Sequence, residues 1–353
     1  MVVKKERLNP MYTKNPRNHM TSTKKRFNMT DLLEKYYDKP EAQREFFINI
    51  RFPQGYVCPD CGCTEYRWLK SRNCMQCKCC SHQTHVLAGT IFQDSKLSFF
   101  QIILGLFLFV TNQSGISGTT LANQMGVNVN TSRLFLRKLR EACKTDNQAV
   151  MLSDTVQLDT AYFGGVDTGG KRGVGSDKQT VGVALQVCND IDKKSKEAVE
   201  YPVKARFCLM KSENGDEVVA FAKSAIKKGT TILADKGKGI SVLGRVIKDV
   251  DGNPVLNKDG QPINRYGYTL KNEPFDKETN CLKWAHIFIS NAKAFLLGIF
   301  HGVNLQYLGS YLEEYNWKFN HRTERNFHSL MESLLNSAFQ TAVTTLSNLK
   351  AIY

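Results

Sequence analysis

The chain has 353 residues, and its 48 lysines and arginines outnumber its 33 aspartates and glutamates, which gives a net charge of +15. A hydrophobic content of 42% is enough to build a core, so a wholly disordered chain is excluded, and the length predicts two or three domains. The charge favours a polyanionic partner, either nucleic acid or an anionic membrane surface.

The apolar run FFQIILGLFLFV at residues 99–110 tests the membrane alternative. A helix that spans a bilayer needs about 20 apolar residues, so this shorter run predicts a buried core helix. Residues 1–28 are basic and polar, without the apolar segment typical of a signal peptide. We therefore expect a cytoplasmic protein with no membrane partner and a disordered N-terminal tail. The alternative for the tail is an arm that contacts phosphates.

Composition divides the rest of the chain into four predicted segments. Residues 29–92 begin with apolar residues at helical spacing and continue into a cysteine-rich stretch, and residues 93–148 have a helical pattern. Residues 149–325 contain short β-branched runs followed by helices, with two Asp-Gly turns near 248–263 that predict a hairpin insertion. Residues 326–353 are predicted to form a C-terminal helix. The predicted fold class is α+β, with several domains.

Seven of the eleven cysteines lie between Cys58 and Cys80, which is typical of a metal site within a large chain. Cys58 and Cys61 form one C-x-x-C pair, and the second pair is either Cys74 with Cys77 or Cys77 with Cys80. Two such pairs predict a zinc ribbon in which four thiolates bind a structural Zn²⁺ and leave no coordination position open for catalysis. An iron–sulfur cluster and buried thiols without a metal are the alternatives.

Residues 115–140 have the pattern of a helix-turn-helix. The first helix is predicted to end near Gly126, and Asn130 or Thr131 is predicted to cap the second helix. The second helix would enter the major groove of DNA, and it carries four basic side chains as candidate DNA contacts: Arg133, Arg137, Lys138 and Arg140. The alternative is an ordinary helical hairpin with a solvated basic face.

Two aspartates each follow an apolar strand pattern. Asp159 ends the run VQLD, and Asp235 ends the run TTILAD. Carboxylates at strand ends can share Mg²⁺ or Mn²⁺ ions, and a pair of such ions can activate a nucleophile and stabilise a leaving oxygen in phosphoryl transfer. The alternative is that each aspartate is a loop residue or a helix cap.

Several motifs occur together in one order. They are CPDCG, the later CSHQTHVLAGTIF, then GISGTTLANQMGV, LDTAYFGG, and HIFISNAKAFLLGIFHG followed by YLEEYNWKFNHR. Through them, residues 40–325 resemble bacterial insertion-sequence transposases that have an N-terminal zinc ribbon and an ISXO-type catalytic domain. The resemblance implies an RNase H-like catalytic domain with a mixed sheet, which cuts and joins DNA with two divalent metal ions, Mg²⁺ or Mn²⁺.

The resemblance also implies roles for single residues. It places Asp159 and Asp235 at the catalytic ions, and it places Asn291 third, where acidic-triad transposases have glutamate. It implies that the zinc ligands are Cys58, Cys61, Cys77 and Cys80, with Cys63, Cys74 and Cys79 as bystanders.

Further polar residues lie near these motifs. Lys293, two residues after Asn291, is predicted to contact a DNA phosphate. In the glycine-rich segment 164–175, Lys171 and Arg172 are predicted to contact DNA, although a plain hairpin connection fits equally well. We predict solvent-facing or structural roles for the remaining acidic and histidine side chains of the C-terminal helices: Glu313, Glu314, His286 and His301.

The predicted function is that of a DNA transposase of the bacterial nucleoid. It would bind the terminal inverted repeats of an insertion sequence and act as a homo-oligomer on double-stranded DNA, at both the element ends and the target. One alternative is a catalytically decayed or domesticated DNA-binding protein, which the amide at position 291 keeps open. Another is an RNase H-like nuclease that does not join strands.

Overall fold

The computed structural model describes residues 26–164, 178–191, 198–272 and 280–343. By their contacts, the described residues between 147 and 323 form one compact unit, here named the sheet unit. The described residues before 147 and after 323 form a second compact unit, here named the helical unit.

The helical unit begins with two helices, a small ribbon of strands and three further helices. In chain order these are α1 (Met29–Tyr36), α2 (Pro40–Arg51), β1 (Tyr66–Leu69), β2 (Cys74–Cys77), β3 (Gln83–Thr84), α3 (Phe99–Thr111), α4 (Gly118–Met125) and α5 (Val129–Gln148). The three strands pair antiparallel in chain order, which is the arrangement that brings the two ends of the cysteine-rich segment together.

Helix α3 corresponds to the most apolar run of the sequence. Ser98 and Gln101 form a capping box at its N-terminus, and Ile102, Leu106 and Phe109 are completely buried. The prediction of a buried core helix is therefore confirmed. Within the described part of the chain, no helix is both long and apolar enough to cross a membrane.

The sheet unit contains five strands, three α-helices and a short 3-10 helix at Ile240–Gly244. The strands and α-helices follow in chain order. They are β4 (Thr155–Phe163), β5 (Gln179–Ile191), β6 (Ala198–Met210), α6 (Gly215–Ala225), β7 (Thr231–Ala234), β8 (Thr269–Asn272), α7 (Lys283–Gly298) and α8 (Leu305–Asn320). The strand order is β6-β5-β4-β7-β8; the first three strands are antiparallel, and β4, β7 and β8 are parallel. This mixed sheet in an α+β protein is consistent with the RNase H-like fold and confirms the predicted fold class.

Both faces of the central strand β4 are covered, because its side chains alternate between them. Leu158 belongs to a core cluster that includes Phe221 of α6. Ala161 and Phe163 belong to a second cluster that includes Phe288 of α7. Odd-numbered side chains of β4 therefore face α7, and Asp159 is among them.

A repeated segment follows β7. The eight residues DVDGNPVL at 249–256 are followed directly by NKDGQPIN at 257–264, and both contain an Asp-Gly turn. Asp249 and Asn257 each accept hydrogen bonds from the backbone N–H groups two and four residues later. The two turns that the sequence predicts are present, and their bases are tied by bonds from the N–H of Ile247 to Ile263, of Ile263 to Val255 and of Val255 to Ile247.

The last described helix, α9 (Phe327–Gln340), belongs to the helical unit. The Arg51 guanidinium donates to the Phe339 carbonyl at 3.2 Å, and the Phe47 and Phe339 rings lie 6.4 Å apart. The C-terminal segment thus completes the core that the N-terminal segment begins.

Helix α8 differs from the sequence-based expectation for its two glutamates. Glu314 and Lys318 are both buried, and their charged atoms lie 3.4 Å apart. The Glu313 carboxylate accepts a hydrogen bond from the Asn147 side chain at 2.6 Å. The prediction of a solvated face was wrong for Glu314, because that side of α8 is buried and the carboxylate pairs with Lys318 inside the protein. Glu313 is partly buried.

Candidate zinc ribbon, recognition helix and metal centre

The ribbon brings four thiols into one cluster. The sulfur atoms of Cys58, Cys61, Cys77 and Cys80 all lie within 4.8 Å of one another, with 3.6 Å between Cys58 and Cys80 and 3.5 Å between Cys61 and Cys77. The Gly62 backbone has φ +72°, which lets the chain turn tightly after Cys61. Four soft ligands in such a group fit a structural, tetrahedral Zn²⁺.

The backbone around Cys58 favours the thiolate form that zinc requires. Burial raises the pKa of the Cys58 thiol, but hydrogen bonds from the backbone of Cys61 and Asp60, together with neighbouring side chains, outweigh it and lower the pKa to about 6. In the second pair, the Cys79 N–H donates to the Cys77 sulfur at 3.4 Å.

The other cysteines of the segment lie outside this cluster. Cys74 is completely buried on β2, and its thiol lies 3.9 Å from the Gln83 side chain. The alternative pairing of Cys74 with Cys77 is therefore not formed. Cys63 and Cys79 are joined by a disulfide with their Cα atoms 6.3 Å apart, a pairing that the sequence reasoning missed because spacing does not determine connectivity.

Helices α4 and α5 are joined by a three-residue turn. Gly126 has the left-handed backbone that ends α4, and the Asn128 side chain accepts from the Asn130 N–H at 2.8 Å. The prediction that Asn130 or Thr131 caps the second helix was wrong, since α5 begins at Val129. The side chains of Asn130 and Thr131 are exposed on the first turn of α5 instead.

The four basic residues of α5 differ in exposure. Arg133 is exposed, and its stem packs so closely on Gly118 that a Cβ there would lie 2.6 Å from it. Arg137 and Lys138 are partly buried, and burial lowers the pKa of Lys138 while Asp94 opposes this effect. Arg140 is only 3% exposed, because it lies beside the apolar stripe of α5, so it leaves the set of candidate DNA contacts.

Asp159 and Asp235 lie at the same level along two neighbouring strands of the sheet. Strands β4 and β7 are parallel, with Thr155 opposite Thr231 and Gln157 opposite Leu233. Continued by two residues, the same register puts Asp235, which directly follows β7, level with Asp159. The Gly237 N–H donates to the Asp235 carboxylate at 3.2 Å and fixes one of its oxygens.

Helix α7 brings His286 to Asp159. The His286 Nε2 atom lies 3.4 Å from the Asp159 Oδ2 atom, and the Asp159 side chain is 13% exposed. On the other side of the His286 imidazole, the Asn280 amide nitrogen lies 3.3 Å from the His286 Nδ1 atom. The Asn280 amide oxygen accepts a hydrogen bond from the Leu282 N–H. The hydrogen bond to Asp159 raises the pKa of His286; burial opposes this, and the charges of Asp159 and Asp235 add to it.

Asn291 lies on a different side of α7. Five residues correspond to about 140° around a helix, whereas the seven residues from His286 to Lys293 return to nearly the same direction. The Asn291 amide nitrogen is buried and has no hydrogen-bond partner among the described residues. The sequence predicted Asn291 beside the aspartates and a structural His286; the helical geometry instead turns His286 towards them.

Lysines lie near the C-terminal end of β4 and directly after Asp235. The Lys293 ammonium lies 5.4 Å from the centre of the Phe163 ring, and burial and the nearby Lys178 lower its pKa while Asp159 opposes them. Lys236 and Lys238 are exposed directly after Asp235. The predicted contacts Lys171 and Arg172 lie outside the described residues.

Two carboxylates on adjacent strands suit a hard divalent cation, which prefers oxygen ligands. Asp159 is recessed yet accessible, and Asp235 keeps one oxygen without a backbone partner in the described region. The donor set therefore fits Mg²⁺ or Mn²⁺, and the adjacent lysines can neutralise phosphate oxygens.

Comparison with protein families agrees with this arrangement. Residues 40–83 match the transposase zinc-ribbon domain, and residues 151–320 match the ISXO2-like transposase domain. No curated protein matches the chain. The first match contains the four-thiol ribbon, and the second contains both aspartates and helices α7 and α8. The chain therefore contains a transposase zinc-ribbon domain ahead of an ISXO2-like transposase domain.

Proposed function

We propose that this protein binds the terminal inverted repeats of an insertion sequence and catalyses metal-dependent DNA cleavage and strand transfer. The observation that supports this most directly is the common level of Asp159 and Asp235 on the parallel strands β4 and β7. Two carboxylates at one level of adjacent strands suit phosphodiester chemistry, and the match to a transposase domain supports DNA as the substrate.

In the proposed site, Asp159 and Asp235 would hold the divalent ions, and His286 would stand beside Asp159 in place of Asn291. Bound Mg²⁺ or Mn²⁺ would supply Lewis-acid activation of the attacking oxygen and stabilisation of the leaving oxygen. His286 orients the Asp159 carboxylate from α7, while the Gly237 N–H orients Asp235. Lys178 and Lys293, which lie close to each other, would contact DNA phosphates.

The proposed reaction has two steps. Water first hydrolyses the phosphodiester at the 3′ end of the element and leaves a free 3′-OH. That hydroxyl then attacks a phosphodiester of the target DNA, so that one bond forms as another breaks. Both steps use the same residues, because each replaces one oxygen on phosphorus with another.

The helical unit supplies the proposed recognition of the element ends. The N-terminal part of α5 presents Asn130, Thr131 and Arg133 to solvent, and the N-terminal side chains of a recognition helix are those that read base edges. Arg137 and Lys138 lie further along α5, where phosphate contact is the natural role. Two element ends must be held together for transfer, so we propose a homo-oligomer on DNA in the nucleoid.

The first experiment replaces the aspartates. D159A and D235A are each expected to lower Mg²⁺- or Mn²⁺-dependent cleavage of end-sequence DNA by about 10²- to 10³-fold or more, since each removes charge stabilisation of the transition state. D251A, in an exposed turn of the repeated segment, is the matched control and is expected to be neutral.

Binding is measured separately by the mobility shift of the same DNA. Both active-site variants are expected to bind it as the wild type does. Cleavage retained in D159A and D235A would contradict the assignment of the site.

A DNA-binding protein without catalysis is the second candidate. One observation favours it: α7 presents an imidazole rather than a carboxylate to Asp159. A strand-transfer assay with pre-cleaved ends and Mn²⁺ separates the two. Specific binding to terminal repeats with no joined product would favour the second candidate.

A further inference from the structure

Helix α7 begins without a capping side chain of its own. Leu282 at the N-cap forms no side-chain hydrogen bond, although the first N–H groups of a helix have no acceptor within it. The Lys283 N–H donates a hydrogen bond to the Asn280 carbonyl at 3.1 Å. The buried Ala285 N–H donates to a residue far away in sequence, the Oε1 atom of Gln157 on β4, at 2.9 Å.

The Gln157 amide is held at both ends. Its Nε2 group donates to the Glu200 carboxylate on β6 at 3.1 Å, and the whole side chain is 1% exposed. A backbone N–H needs an acceptor and an ionised carboxylate can only accept, so the two partners together allow one orientation of the amide. Gln157 therefore serves as the helix cap that the sequence around α7 does not provide.

This cap lies next to the proposed metal site. Gln157 precedes Asp159 by two residues and so faces α7 from the same side of β4. Ala285 directly precedes His286. Two adjacent contacts, Gln157 to Ala285 and Asp159 to His286, thus set how far along β4 the start of α7 lies.

We propose that Gln157 is a positioning residue: it anchors the first turn of α7 on β4 and thereby holds His286 against Asp159. The proposal rests on the metal site proposed above. The glutamine touches neither DNA nor metal, and its effect reaches the site only through the placement of the helix.

The test compares two ways of changing the hydrogen bonds. Q157M keeps the length of the side chain but loses both bonds. The double variant Q157E/E200Q exchanges acceptor and donor: the carboxylate at 157 accepts from both the Ala285 N–H and the new amide at 200. E200Q alone leaves the bond to Ala285 in place and serves as the control.

In the full-length protein, Q157M is expected to raise the Mn²⁺ concentration at half-saturation about 10-fold, measured by electron paramagnetic resonance without DNA. It is also expected to speed amide exchange in the first turn of α7 and to lower the cleavage rate at saturating DNA, with an unchanged dissociation constant for DNA. Q157E/E200Q and E200Q are expected to stay close to the wild type in all four measurements.

A folded Q157M with wild-type Mn²⁺ affinity and amide exchange would overturn the proposal, as would a Q157E/E200Q variant as impaired as Q157M. If Q157M does not fold, Q157N replaces it, because its shorter amide cannot reach Ala285 and the same results are expected. If the wild type cleaves no DNA, the proposed function fails, while Mn²⁺ binding and amide exchange still decide the role of Gln157.

Discussion

At the scale of single residues, α7 carries two polar side chains five positions apart, and we expect their replacement to affect the cleavage rate differently. His286 contacts Asp159, whereas Asn291 has a buried amide nitrogen with no partner in the described structure. We expect H286A to lower the cleavage rate about 10- to 100-fold by releasing the Asp159 carboxylate. We expect N291A to stay within about 3-fold of the wild type, since only an uncompensated polar group is removed.

Both variants are compared in the same cleavage assay, with thermal unfolding to verify that α7 still packs. A larger loss of activity in N291A than in H286A would instead assign the third position of the metal site to Asn291. The pattern of letters in HIFISNAKAF could not separate these options, because it does not state which side of the helix faces β4.

The elements of the fold were predictable where their pattern is local. The apolar run of α3, the strand that contains Asp159 and the C-x-x-C pairs each depend on neighbouring residues. The predicted end of that strand at Asp159 was wrong, because β4 continues to Phe163. The pairing of β4 with β7 and the contact between Gln157 and Ala285 depend on residues far apart in the chain, and no local pattern encodes them. The sequence therefore predicted the type of each element better than the partner it packs against.

The zinc ribbon gives a prediction at the scale of an element. C80S is expected to lose most of the bound zinc, because it removes one of four thiolates that lie within 4.8 Å of one another. C74S is the matched control from the same segment and is expected to retain the metal, since its thiol lies outside the cluster. Zinc per chain is measured after purification without added metal.

A second control is the double variant C63S/C79S, which removes the disulfide but no member of the four-thiol cluster. It is expected to keep its zinc. Loss of zinc in C74S with retention in C80S would instead support the alternative pairing of Cys74 with Cys77.

At the scale of the whole molecule, we predict the effect of removing α9. Leu330, Met331, Leu334 and Leu335 of this helix are almost completely buried, and burying each such side chain stabilises by about 1.5–3 kcal/mol. A chain that ends at residue 323 loses all four, an amount comparable to the total stability of a domain. We expect this truncation to abolish DNA binding by the helical unit, although it removes no proposed DNA contact.

The matched control ends at residue 343 and keeps α9 complete. Limited proteolysis is expected to cut α2 and α3 rapidly in the shorter chain and slowly in the control, with zinc content and DNA binding measured on both. Wild-type DNA binding by the shorter chain would show that α9 is dispensable.

The location of α9 in the helical unit also has a consequence for synthesis. During translation the whole of residues 147–323 leaves the ribosome before the helix that completes the first part of the chain. The segment expected to read the element ends therefore matures last, after the segment expected to cut them. A transcript broken before the codons of α9 would yield a protein without this helix, which we expect not to recognise the element ends.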